Sequence, residues 1–194
     1  MNISDILRAE TAQSHQSLEK IVVRQIREIQ TTRDYINLLG FFYSYFESLE
    51  VLINEYISLT HLPDLYVRRK AGLISLDLIS LGVLVPQRLE SDFLPEIKNQ
   101  YQAFGALYVI EGSSLGGIHI AKMIHKKLPE ASNSFLFFNG YGERTGEMWT
   151  RFKNVLDSIS GNQDEINNII SGARETFVKF AEWINSNIKS QMLT

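Results

Sequence analysis

Ala106-Leu107-Tyr108-Val109-Ile110-Glu111-Gly112-Ser113-Ser114-Leu115-Gly116-Gly117 stands inside a helical pattern that runs from about Ile97 to Leu128. Apolar residues lead into the glycines, and Ile118, Ile120 and Met123 follow them. A glycine in a helix interior costs roughly 1 kcal/mol against alanine. Three glycines between Gly112 and Gly117 therefore need an offset. Gly112 and Gly116 are four residues apart and share a face. Two readings supply the offset. A face without side chains lets a flat ligand approach the backbone, and it permits a kink that frees polar groups. Alternatively, the small residues let two helices pack closely. Spacing alone leaves both open. A phosphate loop is disfavoured, because no Gly-Lys-Ser/Thr follows.

The pattern around this stretch is helical nearly throughout. Ile3, Ile6 and Leu7 begin an apolar stripe that continues to Leu18, Ile21 and Val22, with Ser4 or Asp5 placed to cap its start. After Thr31-Thr32, apolar residues from Tyr35 to Tyr56 recur at three- and four-residue spacing, which reads as a core helix. His61-Leu62-Pro63 is a break. Further helices are expected over about Leu65–Leu81, Glu143–Ile159 and Gln163–Ile188, with a loop from Pro129 to Gly142. No strand alternation, internal repeat or low-complexity tract appears. The expectation is a single all-α domain over residues 1–194, with about six to nine helices.

Composition narrows the function classes. The 194 residues fit one domain. At 44% hydrophobic and 21% charged the chain is neither disordered nor fibrous. A net charge of −3 argues against a general nucleic-acid binder. With no Cys, disulfides, iron–sulfur clusters, Cys-ligated zinc and a thiolate nucleophile are excluded. No signal-peptide core precedes the first helix, and no stretch reads as the roughly 20 apolar residues of a membrane span. The expected location is the cytoplasm.

The first residue type able to carry chemistry is His15. Glu19 lies four residues on, along the same helix face. An imidazole can ligate a metal through one nitrogen while its other N–H bonds a carboxylate. A surface His–Glu pair has the same spacing, so the pair alone leaves both readings open. The other histidines read as structural: His61 in a turn, His125 on a polar face beside Lys126 and Lys127, and His119 packed between helices, although its place three residues after Gly116 also puts it within about 60° of the glycine face. Glu47, Glu50 and Glu55 read as a solvated face, and Tyr108 and Trp149 as core. No Glu-x-x-His occurs, which argues against a di-iron carboxylate bundle.

Two runs taken together resemble one family. Leu7-Arg8-Ala9-Glu10-Thr11-Ala12-Gln13-Ser14-His15-Gln16-Ser17-Leu18-Glu19 is similar to the proximal helix of the haem oxygenases, and Leu107 to Gly117 to the distal helix of their bacterial branch. Arg68-Arg69-Lys70 ahead of Leu76-Asp77-Leu78, Gly140-Tyr141-Gly142 with Trp149 and Phe152, and Ala173 with Phe177 extend the likeness along most of the chain. The nearest likeness is to bacterial biliverdin-producing members, including those that serve phytochromes.

The resemblance implies a helical bundle holding haem b between a proximal helix and a kinked distal one. Haem is then both cofactor and substrate, converted with O₂ and electrons to biliverdin, CO and Fe²⁺. It implies His15 as axial iron ligand, Glu19 as its hydrogen-bond partner, and Arg8 near the propionates. Gly112 and Gly116 would line the distal face, with Ser113 anchoring water, and Gly117 would help bend the helix. Animal members carry Asp where Ser113 stands here. Their propionate-binding basic residues on the last helix have no clear match, which leaves Arg144, Arg151, Lys122 and Lys126 as candidates. The electron donor would be external: a ferredoxin, a flavodoxin or a flavin reductase, docking on Arg68-Arg69-Lys70 or Lys126-Lys127. A phytochrome is a candidate bilin acceptor. The alternative is a non-catalytic haem carrier or sensor of the same fold.

Overall fold

The computed structural model describes residues 2–86, 89, 92–159 and 162–191. Among them no strand occurs. The helices are α1 (Ile3–Glu10), α2 (Ala12–Glu28), α3 (Thr32–Asn54), α4 (Gly72–Ser80), α5 (Gln100–Lys127), α6 (Leu136–Asn139), α7 (Thr145–Ser158) and α8 (Gln163–Gln191).

The stripe expected as one helix at the N-terminus is broken at Thr11. This residue takes φ −105° and ψ 0°, and its hydroxyl donates to the Leu7 carbonyl at 2.6 Å, closing α1. Neither Ser4 nor Asp5 caps α1 as expected. Ser4 lies inside the helix, and Asp157 of α7 accepts its N–H at 2.7 Å and its hydroxyl at 2.9 Å, anchoring α1 on α7. Elsewhere the caps are local. Thr31 and Asp34 form a capping box at α3, and Asn99 accepts the Tyr101 and Gln102 amides at 3.0 Å each at α5.

The stretch expected as one helix over 65–81 divides. A 3₁₀ turn at Leu65–Val67 gives way to extended backbone at Arg68 before α4 starts. The 129–142 segment, expected as loop, contains 3₁₀ turns and α6. Asp77 of α4 accepts the Leu136 and Phe137 amides at 2.8 and 3.0 Å, which seats α6. Phe137 and Phe138 thereby enter an aromatic cluster with Phe42, Phe46 and Phe180. Burying each such ring contributes roughly 1.5–3 kcal/mol.

Helix α3 is the core helix that its periodicity predicts, with Tyr35, Leu39, Tyr45, Leu49 and Ile53 buried. Among the described residues it is also the one helix long and apolar enough to cross a membrane, at mean hydropathy 1.2. Its apolar side is covered by the rest of the protein.

Helix α5 is central. Every residue from Ala103 to Glu111 is buried, and exposure begins at Gly112. It crosses α8 at two glycines. A Cβ on Gly105 would lie 2.1 Å from the Ile169 carbonyl oxygen, and one on Gly172 would lie 2.2 Å from that of Gln102. Neither position admits a larger residue without moving backbone. α8 also packs along α2, so it forms a common wall for α2 and α5.

Candidate functional site

Helix α2 carries His15 on its exposed side. The imidazole meets the ring of Phe177 on α8 edge-to-face, with centroids 5.4 Å apart and planes at 82°. Phe177 is itself buried, so one flank of the imidazole rests on a fixed surface while the rest is open. Glu19 is exposed and lines an open groove with Lys20, Val23, Arg24 and Arg27. His15 and Glu19 are not hydrogen-bonded to each other in the structure.

The three glycines of α5 separate into different roles. A Cβ on Gly116 would meet nothing within 4 Å, so this face opens on space. A Cβ on Gly112 would lie 3.6 Å from the Trp149 ring, an ordinary contact. Gly117 is buried, and a Cβ there would fall 2.2 Å from the Phe138 carbonyl oxygen. Gly117 therefore admits α6 rather than facing the open side, which corrects its expected place in a ligand pocket. Close packing through a small residue holds at Gly117, while Gly116 faces open space.

One turn before Gly112 on the same face lies Tyr108. Its ring is 5.3 Å from that of Trp149, which stacks in turn on Phe152 at 5.8 Å. Burial raises the Tyr108 phenol above its ordinary pKa, and the positive charge of Arg8 on α1 opposes that shift. Arg8 thus lies close enough to Tyr108 to act on its phenol. Tyr108 and Trp149 are partly the core residues expected, and they also wall this face.

Ser113 is half-buried and points away from it. Its hydroxyl donates to the Ile110 carbonyl at 2.7 Å and accepts from Arg69 Nη2 at 2.5 Å. The hydroxyl proton is committed inside the helix.

Several surface assignments change. Arg68 and Arg69 are buried, so they offer no docking surface. Arg69 also donates to the carbonyls of Ile110 and Phe137, at 2.6 and 3.3 Å. Lys127 Nζ donates to the Arg27 and Ile29 carbonyls, at 2.6 and 2.9 Å, which occupies it at the end of α2, while Lys126 is exposed. Arg144 pairs with Glu147, and Arg151 with Asp64 and Glu147; Lys122 is exposed. His119 is exposed rather than packed between helices. Glu50 is not on a solvated face: it accepts the Ala71 amide at 2.8 Å, and burial raises its carboxyl to about 7.

Glu111, one residue before Gly112, was not singled out in the sequence, yet it is the most deeply buried carboxylate next to this face. It accepts from Arg68 Nη1 at 2.9 Å and from the Tyr141 hydroxyl. The available signal was an acidic residue closing a run of five apolar ones, a place where a charge must find a partner.

Among the described residues no group of three His, Asp, Glu or Cys side chains converges on one point. A metal at His15 would therefore take at most two protein ligands of these kinds and bring its other ligands with it. An exposed imidazole braced by an aromatic ring, a helix face with open space at Gly116, and a cation at its edge fit a flat metal-bearing macrocycle with anionic substituents.

Comparisons with known proteins bear on the fold and the family. The family model described as "Heme oxygenase" matches residues 91–186. A heme oxygenase of Xanthomonas campestris pv. campestris (strain 8004) is 31% identical over 113 residues, which span 58% of this chain and 66% of that relative, just under two thirds of its length. The fold is shared with the NO- and CO-bound heme oxygenase from Neisseria meningitidis, at TM-score 0.81 and 21% identity over 97% of this chain and 93% of that one. It is shared too with the heme oxygenase from Leptospira interrogans, at TM-score 0.75 and 19% identity over 96% and 100%. The chain is thus similar in sequence to the heme oxygenases over residues 91–186 and shares their fold.

Proposed function

We propose that this chain is a haem oxygenase that converts haem b, with O₂ and external electrons, to biliverdin, CO and Fe²⁺. The observation that carries the reading is an exposed imidazole on α2 braced on Phe177, together with an α5 face left bare at Gly116, in a chain similar to the heme oxygenases. When bound, haem supplies the iron that activates O₂ and is itself the molecule consumed.

The chain's own residues do the rest. A ring nitrogen of His15 would hold the iron, and Phe177 limits rotation of the imidazole. A neutral imidazole donates less electron density than a thiolate, so it does not promote the O–O cleavage that thiolate-ligated enzymes use. On α5, Gly112 and Gly116 would offer the ring backbone rather than side chains, so neither position would bring an acidic group to it. Ser113 holds its proton against the Ile110 carbonyl and does not act as an acid there. Arg8 favours a propionate at the mouth, by charge-assisted hydrogen bonding. Tyr108 and Trp149 exclude water from the inner edge of the same face.

The electrons come from outside, from a ferredoxin, a flavodoxin or a flavin reductase, because a chain without Cys cannot hold an iron–sulfur cluster. The protein works in the cytoplasm, as one domain, and a phytochrome is a candidate acceptor of the bilin.

The test is aerobic turnover. The haemin complex is mixed with ascorbate, or with ferredoxin and its reductase, and the spectrum is followed. Replacement of the haem bands by those of biliverdin supports the reading. Intact haem after prolonged incubation overturns it in favour of a carrier.

A further inference from the structure

Behind the glycine face lies a buried charge cluster with no part in the mechanism above. Glu111 is 1% exposed and Arg68 is 3% exposed. Arg68 Nη1 donates to Glu111 Oε2 at 2.9 Å and to the Met148 carbonyl at 2.8 Å. Its Nε and Nη2 donate to Asp64 at 2.9 and 2.8 Å. The Tyr141 hydroxyl donates to Glu111, with oxygens at 2.9 and 3.0 Å, and accepts the Arg69 amide at 2.7 Å. Tyr141 is brought there by a tight turn, with Gly140 at φ +56° and Gly142 at φ +59°. Through one carboxylate, the 64–69 segment, α5, this turn and α7 are tied together.

Such a cluster is a costly way to hold helices. Moving two charges out of water costs several kcal/mol each, and an apolar replacement of the whole set is often as stable. What it adds is direction. Apolar packing tolerates slippage, whereas two hydrogen-bond donors on one carboxylate, Arg68 and Tyr141, fix the rotation of α5 about its axis. Glu111 precedes Gly112 by one residue. A rotation of roughly 10° moves a Cα, about 2.3 Å from the helix axis, by about 0.4 Å.

We propose that Glu111, clamped by Arg68 and Tyr141, is a positioning residue that fixes how Gly112 and Gly116 are presented to the haem, so that the site of ring opening depends on this buried cluster. The proposal rests on the haem oxygenase reading. Glu111 touches neither iron nor O₂; it acts through the glycines beside it.

The test compares the parent with Glu111→Gln and Tyr141→Phe. Tyr141→Phe deletes one hydroxyl, leaves the Arg68–Glu111 pair in place, and carries the test if Glu111→Gln does not fold. Three readouts are taken: haemin titration, CO dissociation from the ferrous complex, and chromatography of the bilin isomers. Both variants should keep the histidine-ligated haem spectrum. The isomer ratio and the CO dissociation rate should each change by roughly 3- to 30-fold, the range expected when a positioning contact is lost. If a folded variant keeps the parental isomer ratio and CO rate, the cluster is structural only and the proposal is overturned. A parent that binds haemin but yields no bilin overturns the enzyme reading, and the CO rates then decide the positioning claim separately. A parent that binds no haemin overturns both.

Discussion

Replacing Gly116 with Ala should make the ligand-free protein more stable and its haem complex weaker. Gly116 lies within α5, where a Cβ would meet no atom within 4 Å. Nothing in the folded protein opposes the methyl group, while the unfolded chain loses freedom. The gain is about 0.5–1 kcal/mol. In a chain of this length that raises the Tm by about 1–4 °C. The same change one residue on has the opposite sign. A Cβ on Gly117 would lie 2.2 Å from the Phe138 carbonyl oxygen, which is backbone and cannot swing away. Gly117→Ala should therefore cost about 1–3 kcal/mol or more. With haem present, the methyl at Gly116 occupies the space the macrocycle needs. Since apolar contacts lie near 3.5–4.0 Å, the ring must shift outward by a substantial part of a contact distance. A loss of about tenfold in haemin affinity, or about 1.4 kcal/mol, is expected. Urea unfolding of the ligand-free variants and haemin titration followed in the Soret band measure the two effects separately. A Gly116→Ala protein that is stabilised yet binds and oxidises haem with the parental affinity, rate and isomer ratio would falsify the assignment of this face to the ring.

Other substitutions probe independent parts of the account. His15→Ala should abolish the nitrogen-ligated haem spectrum and turnover, and added imidazole should restore part of the spectrum; parental spectra without imidazole would remove His15 as the ligand. Gly105→Ala places a Cβ 2.1 Å from the Ile169 carbonyl oxygen at the α5–α8 crossing, and should cost about 1–3 kcal/mol in denaturant unfolding; an unchanged midpoint would mean that the crossing yields easily. Glu50→Gln reads a pH effect, because burial raises this carboxyl from 4.5 to about 7 against the opposing bond from the Ala71 amide. As pH rises from 4.5 to about 7, the unfolded chain ionises before the folded one, so the parent loses stability across that window. A shift of this size corresponds to about 3 kcal/mol. The stability of the Gln variant relative to the parent should therefore climb over the same window and level off above it, and a difference that is flat with pH would contradict the burial argument.

How much of this was legible in the sequence depends on whether a feature is set locally. The α3 helix follows from apolar spacing between Tyr35 and Tyr56, and its start from Thr31 and Thr32. His15 and the glycine face were legible as candidates because their spacing puts them on helix faces. The glycines themselves were not separable: Gly116 and Gly117 are neighbours with the same composition around them, and only the approach of Phe138 from α6 divides open space from a packed crossing. Arg68-Arg69-Lys70 read as a charge run suited to docking, because its partners are distant in sequence. Glu111 lies 43 residues from Arg68, and Tyr141 lies 72 from Arg69. The same holds for Glu50, whose burial depends on the segment around Ala71. Buried polar groups are where local rules fail, since each is explained by a partner that no local pattern names.

The central claim is that haem sits with its iron on His15 and its opposite face on the bare side of α5. A crystal structure of the haemin complex tests it most directly. The account predicts a ring nitrogen of His15 bonded to the iron, the macrocycle against the backbone at Gly112 and Gly116, and a propionate within reach of Arg8. An iron held by another residue, or a His15 ring turned to solvent with the haem lodged elsewhere, would contradict it.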